Sequence, residues 1–299
     1  MPEETPAPDP THRRSHLNPV WGLLSETYQE WRQDNAQTLG AALAFYAAFS
    51  LAPLLIIVIA IFGVMLGKET IQVEILKRAQ ELIGAQGAAA VKMMIKAAYR
   101  PGTGLTATII GILVILVGST SALAMLKQAL NIIWGVRPDP KTPIWNLVKV
   151  RLLSFVMILV IGLLLVLSLL LSLVLSFLTG FVQNLVPVPV FFIQSANLVL
   201  SFLLITLLCA MVYKILPDVK IAWSDVWVGS AITAILFTLG KFLFSLFLAR
   251  SSISSAYGAA SSLAIILMWI YYSAQLLFIG AELTQVYANR HGSQVKPQA

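Results

Sequence analysis

The sequence predicts an all-α membrane protein, a bundle of six transmembrane helices with amphipathic surface helices. Of its 299 residues, 58% are hydrophobic and only 11% are charged, and the mean hydropathy is +0.84. Soluble globular domains carry about 25% charged residues. The charged residues here fall in short stretches between long apolar runs, which is typical of a chain embedded in a bilayer.

The chain before the first apolar run divides into a tail and an amphipathic helix. Residues 1–16 are polar and rich in proline, which predicts a disordered cytoplasmic tail and argues against a cleavable signal peptide. Residues 17–33 place apolar and aromatic side chains at helical spacing, with Glu and Arg between them. Such a helix lies on the membrane surface or packs against the bundle, and the sequence favours neither alternative.

Six apolar segments follow in a transmembrane domain predicted at 34–288. The first contains Pro53, which removes a backbone donor and predicts a kink. The second is continuously apolar for about 13 residues from Leu105, and a helix needs about 20 to cross a bilayer, so it must carry Gly118 to Ser121 into the membrane. The spans are predicted at about 39–66, 105–126, 150–178, 191–215, 225–248 and 259–284, with a cytoplasmic tail at 289–299.

A charged segment, 68–103, separates the first two spans. Its apolar residues recur at helical spacing in two stretches, which are interrupted around Gly84 and Gly87. The segment carries too many charges to span a membrane, so it predicts two short amphipathic helices at the outer surface.

The distribution of Lys and Arg predicts the orientation in the membrane. The side that carries both termini receives eleven of these residues, whereas the opposite side receives seven, six of them in the 68–103 segment. Glu residues of that segment partly offset its positive charge. The excess of positive charge therefore predicts that both termini are cytoplasmic.

Polar side chains within the apolar spans are candidate substrate ligands, because polar groups at membrane depth are costly and often functional. The sixth span aligns Tyr272, Gln275 and Glu282 in a narrow stripe. Gln275 is the deeper cavity candidate, and Glu282 is placed at the cytoplasmic interface. Gln194 and Asn197 share one face of the fourth span. Polar seams of this kind either line a cavity or hold membrane helices together.

Two further features have alternative interpretations. Lys241 follows Gly240 in the fifth span. It either extends to the outer headgroups or points inward to an anionic group such as a phosphate. Ser119 and Thr120 lie in the polar stretch of the second span. That stretch is either a helix break that binds ions or substrates, as in many transporters, or a flexible turn.

Several stretches, in their order along 39–288, resemble the YihY/BrkB family of bacterial inner-membrane proteins. The most specific is the last, with its Tyr-Gly-Ala-Ala, Trp-x-Tyr-Tyr and Gly-Ala-Glu pieces. Relatives often carry Gly-Ala-Thr where this chain has Gly118-Ser-Thr, which casts no doubt on membership. The matching stretches are GAALAFYAAFSLAPLL (40–55), LVGSTSALAMLKQALNIIWGV (116–136), RLLSF (151–155), YKILPD (213–218), the tract 223–241, and YGAASSLAIILMWIYYSAQLLFIGAELTQVYA (257–288).

The resemblance implies a location in the bacterial inner membrane but little about activity. Some members have been linked to resistance to host killing or to the handling of envelope lipids, which implies transport of a lipid or another amphiphile. Members have also carried the label ribonuclease BN, but metal-dependent RNA cleavage needs clustered His, Asp or Glu. The histidines, His12, His16 and His291, lie in the tails, and the acidic residues are scattered. The sequence therefore disfavours a nuclease.

Three functional hypotheses follow from the sequence. The first is an ATP-independent transporter or flippase of a lipid-like substrate, the second a non-catalytic envelope scaffold, and the least supported an enzyme. No cofactor or metal is predicted, and the single Cys209 offers neither a disulfide nor a Cys cluster. The expected partners are membrane lipids and an amphiphilic substrate, without nucleic acid, because the basic residues lie beside the spans. The oligomeric state is left open.

Overall fold

The structure is a computed structural model that describes residues 19–98, 121–136, 190–251 and 260–292, with single positions between 152 and 167. The regular structure of these residues is helical throughout, which confirms the all-α class. The helices are α1 (Pro19–Gln33), α2 (Ala36–Leu66), α3 (Lys68–Ala98), α4 (Ser121–Ile133), α5 (Val190–Ile215), α6 (Trp223–Arg250) and α7 (Ser261–His291).

Four helices are long and apolar enough to cross a membrane: α2, α5, α6 and α7. They correspond to the first, fourth, fifth and sixth predicted spans. The shorter apolar helix α4 covers the end of the second predicted span. The rest of that span, most of the third span and the tail 1–16 lie outside the described residues, so the count of six stays a prediction.

Helix α7 is the centre of the described bundle. It packs against α1, α2, α3 and α6, while α5 packs against α6. Glycines bring α6 and α7 close together: a Cβ atom on Gly229 would lie 1.7 Å from the Thr284 hydroxyl, and one on Gly280 would lie 1.9 Å from the Thr233 hydroxyl. Small residues at such crossings let membrane helices approach each other and gain packing energy.

The amphipathic helix α1 packs against α7 and joins α2 through a two-residue turn. Asn35 in this turn has φ 52°, a left-handed conformation that Asn adopts more readily than most residues. Thr27 is buried on the packed side, whereas Trp21 and Tyr28 are exposed on the other. Of the two alternatives for this segment, packing against the bundle is therefore the one that the structure contains, and an apolar face remains for the membrane surface.

The charged helix α3 contains the predicted break. Gly84 has φ 71° and ψ −179°, a conformation that is available essentially to glycine alone. Gly87 is helical, so only the first of the two predicted glycines interrupts the helix. Both halves of α3 belong to one packed unit with α2, α6 and α7.

The buried apolar residues form two clusters at opposite ends of α7. One end carries the α1–α2 turn and the last turns of α7, and we call it the Asp34 end. The other carries the break in α3 and the first turns of α7, and we call it the Gly84 end. Buried residues at the Asp34 end include Leu130, Tyr213, Ile221 and Phe278. Buried residues at the Gly84 end include Ile59, Ile83 and Ile265.

Candidate functional site

Gln275 joins α1, α2 and α7 at the Asp34 end. Its Oε1 accepts a hydrogen bond from the indole nitrogen of Trp31 at 3.1 Å, and its Nε2 donates to the Ala36 carbonyl at 3.2 Å. Gly40 leaves the room for this amide, since a Cβ atom there would lie 2.1 Å from Nε2. The structure therefore places Gln275 in contacts between helices, and its predicted role as a substrate ligand stays a prediction.

A second contact between α1 and α7 is an ion pair. Arg290, in the last turn of α7, pairs with Glu26, and its guanidinium also donates to the Gly22 carbonyl at 3.4 Å. Both charged side chains are 38% exposed. Exposed ion pairs of this kind contribute about 1 kcal/mol or less to stability. This pair therefore contributes little to the docking of α1, although it favours one orientation of that helix.

Glu282 is buried where the α1–α2 turn covers α7. Its side chain is 0% exposed, and neither carboxyl oxygen receives a hydrogen bond from a donor among the described residues. The Asp34 carboxyl is close enough to interact with Glu282, and Glu30 is close enough to act on both charges. Two carboxyl groups hydrogen-bond to each other only when one of them carries a proton.

The environment of Asp34 agrees with a carboxyl group that keeps its proton more readily than usual. Burial raises the pKa of Asp34 above its ordinary value of 3.8, and the negative charge of Glu30 acts in the same direction. The hydrogen bond with Glu282 acts in the opposite direction. Sequence reasoning identified Glu282 but missed both partners, although the spacing of Glu30 and Asp34 by four residues places them on one helical face.

Two further sequence candidates, Tyr272 and Lys241, lie near the contact between α6 and α7. Tyr272 is partly buried beside Phe244, with ring centroids 5.8 Å apart, and its hydroxyl packs over Gly240. Lys241 is exposed, and both of its predicted roles stay predictions. Among the described residues, no hydrogen bond or ion pair joins Lys241 to Tyr272, Gln275 or Glu282.

The remaining sequence candidates receive no structural test. Gln194 and Asn197 lie within α5, but their side chains are outside the described part of the chain. Ser119 and Thr120 precede α4 and are likewise outside it. Their roles in a polar seam and in a helix break stay predictions.

A polar clamp ties α4 to the loop after α5 at the Asp34 end. The Lys127 ammonium donates to Asp218 Oδ1 at 2.8 Å, and Asn131 Nδ2 donates to Asp218 Oδ2 at 3.0 Å. The backbone N–H of Asp218 returns a bond to Asn131 Oδ1 at 2.8 Å. These three bonds give Lys127 and Asn131, the polar residues that follow the second predicted span, a partner in the loop after α5.

The buried hydroxyl of Tyr213 connects α5, α6 and α7 at the Asp34 end. Tyr213 donates to the Leu277 carbonyl at 2.7 Å, and its oxygen lies 3.0 Å from the Thr233 hydroxyl. Thr233 in turn donates to the Gly229 carbonyl at 2.7 Å. Satisfied polar groups of this kind fix one arrangement of packed helices.

The Gly84 end contains a cavity of about 320 Å³ between α3, α6 and α7. Its polar lining includes Gln80, Glu81 and Gln86 on α3, together with Ser245 and Ser251. Its apolar lining comes from Leu82, Ile83, Leu248 and Ile265.

A second cavity of about 300 Å³ shares Ser251 with the first. It is lined by the apolar side chains of Leu243, Leu246 and Phe247 and by Arg250 at the end of α6. Together the two cavities offer polar groups, a cation and an apolar wall next to one another. Sequence reasoning missed this site, because its walls come from segments more than 150 residues apart.

The described residues offer no metal site of the usual kind. No group of three or more His, Cys, Asp or Glu side chains lies close enough together within them to hold an ion. Glu81, the acidic residue of the cavity, pairs with Arg78 at 3.4 Å. The lining at the Gly84 end offers hydrogen-bonding groups next to apolar side chains.

Comparison with known proteins identifies the family. The family model described as Virulence factor BrkB matches residues 27–299. The chain belongs to the BrkB family. The match begins within α1, so Trp31 and Asp34 lie inside it together with both cavities, whereas Glu26 lies just outside.

The curated relatives carry the name UPF0761 membrane protein. A relative from Alcanivorax borkumensis is 26% identical over 94% of this chain and 64% of its own length. One from Rhodospirillum centenum is 28% identical over 88% of this chain and 56% of its own length. The chain thus spans roughly 64% and 56% of these two relatives. No solved structure matches.

Proposed function

We propose that this BrkB-family membrane protein binds a lipid-like amphiphile at the Gly84 end and moves it across the bilayer without ATP. The observation that carries the proposal is the pair of adjoining cavities with both polar and apolar walls. In this proposal the protein lies in the bacterial inner membrane with both termini cytoplasmic, and it acts by binding, not by catalysis. The contact between Gly22 and Arg290 is consistent with both termini on one side.

The lining of the cavities suits the two parts of an amphiphile. Each volume, about 320 and 300 Å³, reaches the lower limit of ligand pockets, about 300–1,000 Å³, so a headgroup and the first part of a chain would fit. Gln80, Gln86 and Ser245 can hydrogen-bond to a headgroup. Phe247 and Leu243 can pack against an acyl chain. No ion-pair partner of Arg250 occurs among the described residues, which suits an anionic headgroup.

Lys241 extends the same lining toward the middle of α6. Residues four and seven positions apart share a helical face, so Lys241 lies on the face of Ser245 and Leu248, which line the larger cavity. An anionic headgroup leaving the cavity along this face would next meet the Lys241 ammonium. Lys241 is therefore the candidate for a second anion contact on the path into the membrane.

Lipid movement in reconstituted vesicles tests the proposal. The full chain is placed in liposomes that contain a trace of a fluorescent anionic phospholipid, and the fraction of label accessible to an impermeant quencher is followed with time. We expect movement above that of protein-free vesicles, and we expect Gln86→Leu combined with Ser245→Leu to abolish the increase. Lys241→Leu should slow movement as well.

The matched control is Gln72→Leu, the same substitution on the same helix but away from the cavity. It should leave the rate unchanged. Equal rates in wild type and the cavity variant, or loss of movement in the control alone, would contradict the assignment of the site.

A second candidate function is a non-catalytic scaffold, and one observation favours it. Helix α1 docks through one face and exposes Val20, Trp21, Leu24 and Tyr28 on the other. An apolar stripe of this size can bind a membrane surface or a partner helix. This function predicts that replacing these four residues by Ser disrupts the protein's role in cells, whereas the cavity variant does not.

A further inference from the structure

Among the described residues, the carboxyl groups at the Asp34 end have no counter-charge of the kind that buried acids usually have. Glu282 is buried without a hydrogen-bond donor among the described residues, and it faces the Asp34 carboxyl. A carboxylate in such a position loses its hydration without gaining a hydrogen bond in exchange, so its charged form is disfavoured. A second negative charge beside it adds repulsion.

The charged groups of the helices that the structure describes around this site do not compensate for the unfavourable charge. Helix α1 contributes Glu30 and an exposed Arg32, and α2 contains no charged residue. Helix α3 carries its charges near the Gly84 end, where it meets α7. The charged groups around the last turns of α7 have other contacts: Arg290 pairs with Glu26, Asp225 lies against Gly292, His291 stacks on Tyr287, and the Lys214 ammonium donates to the Ile221 carbonyl.

We propose that Asp34 and Glu282 form a proton-binding site, in which one carboxyl keeps its proton and donates it to an oxygen of the other. The shared proton replaces a repulsive pair of carboxylates with a single charge and one O–H···O hydrogen bond. Such bonds to an ionised acceptor are about twice as strong as neutral ones. The proton thereby helps to hold the α1–α2 turn against α7.

A proton fits this site better than a metal ion. Among the described residues, no three His, Cys, Asp or Glu side chains are arranged around Glu282 so that they could hold a metal ion, whereas two carboxyls are enough to hold one proton. The raised pKa of Asp34, caused by burial and by Glu30, agrees with this choice.

The direction of the pH effect follows from the same arrangement. In the docked state the carboxyl keeps its proton over a pH range in which the undocked carboxyl has lost it. The docked state therefore binds more protons, so docking of α1 weakens as the pH rises above the ordinary Asp value of 3.8. The site lies at the opposite end of α7 from the cavities, and it can be tested without any lipid movement.

Infrared difference spectroscopy of the full chain in lipid nanodiscs detects the proton directly. When the pH is raised, we expect the band of a protonated carboxyl to disappear and a carboxylate band to grow. Glu282→Gln should remove this change, and Asp34→Asn should shift it to a different pH. Glu69→Gln, in the first turn of α3 and outside both cavities, is the matched control and should leave it in place.

Distances between spin labels test the link to docking. Labels are attached to cysteines placed at the exposed positions Gln29 in α1 and Asn289 in α7, and wild-type protein with its buried Cys209 is the labelling control. We expect one narrow distance distribution at low pH, broadening at high pH, and a narrow distribution at every pH in Glu282→Gln. A band that titrates unchanged in Glu282→Gln, distances independent of pH, or a response that requires Na⁺ in place of a proton would overturn the proposal.

Discussion

The Asp34 end and the Gly84 end of the bundle are held together by different interactions. At the Asp34 end, hydrogen bonds through Gln275, Tyr213 and Asp218 tie α1, α2, α4, α5, α6 and α7 to one another. At the Gly84 end, α3 is held mainly by apolar contacts, and cavities with mixed lining remain open beside it. Hydrogen bonds fix one arrangement of the packed helices, whereas an interrupted helix next to a cavity allows the helix positions to adjust. Our two proposals follow this contrast: they place ligand binding at the Gly84 end and pH-dependent docking of α1 at the Asp34 end.

The largest effect is expected where α6 and α7 are closest. A Cβ atom at position 280 would lie 1.9 Å from the Thr233 hydroxyl and 2.6 Å from that of Tyr213. Overpacking of this kind costs about 1–3 kcal/mol, and we expect Gly280→Ala to lose at least that much stability in thermal unfolding followed in detergent. Thr233→Ala restores space, so the double variant should recover part of the loss. A Gly280→Ala protein as stable as wild type would contradict the tight contact.

The next effect concerns the Gly84 end and has a different cause. No atom of the described residues lies within 4 Å of a Cβ built on Gly84, so among them no steric contact opposes Gly84→Ala. The backbone conformation opposes this substitution, because holding alanine at the φ and ψ of Gly84 costs about 1–3 kcal/mol. We expect the variant to straighten α3 and to reduce binding of a fluorescent amphiphile, measured by titration in nanodiscs. Gly87→Ala does not serve as a control, because it would clash with Ile83. Ala85→Gly, which keeps the break, should preserve binding.

Removing the amide of Gln275 should loosen α1. Gln275→Leu leaves the Trp31 indole N–H without its acceptor and removes the side-chain donor to the Ala36 carbonyl, and an unsatisfied donor costs about 1–3 kcal/mol when buried. We expect faster proteolysis within α1 and a broader distance distribution between labels in α1 and α7. Trp31→Phe removes only one of the two bonds and should have the smaller effect. Loss of lipid movement with α1 still docked would instead support a direct substrate contact.

The smallest effect is expected at the ion pair between α1 and α7. Glu26→Gln removes the partner of Arg290, but both side chains are 38% exposed. We expect a change of about 1 kcal/mol or less in unfolding, and this change should disappear at high salt. A larger loss that persists in salt would mean that this pair, and not the Glu282 site, holds α1.

The sequence predicted the elements of the fold better than their contacts. Long apolar runs identified α2, α5, α6 and α7, and a glycine in an amphipathic pattern identified the break in α3. The polar stripe on α7 was also visible, but its partners were not. Gln275 bonds to Trp31 and Ala36, about 240 positions earlier in the chain. Which helices lie beside one another cannot be derived from periodicity.

Because helix adjacency cannot be derived from periodicity, the candidate site lies outside the residues that the sequence had singled out as candidate ligands. Its lining residues, such as Gln86 and Ser245, are individually unremarkable polar residues on different helices. They form a site only because α3 bends at Gly84 and packs across the ends of α6 and α7. Glu282 was predicted at an interface, and its burial depends on the α1–α2 turn that covers it.

Photochemical labelling tests the central contrast between the two ends most directly. The full chain in nanodiscs is irradiated with a photoreactive anionic phospholipid at low molar ratio, and the modified peptides are identified by mass spectrometry. We expect modification concentrated at 80–86 and 243–251, and its loss in the Gln86→Leu, Ser245→Leu double variant. Modification spread evenly over exposed apolar positions such as Phe49 and Val64, or concentrated around Asp34, would contradict it.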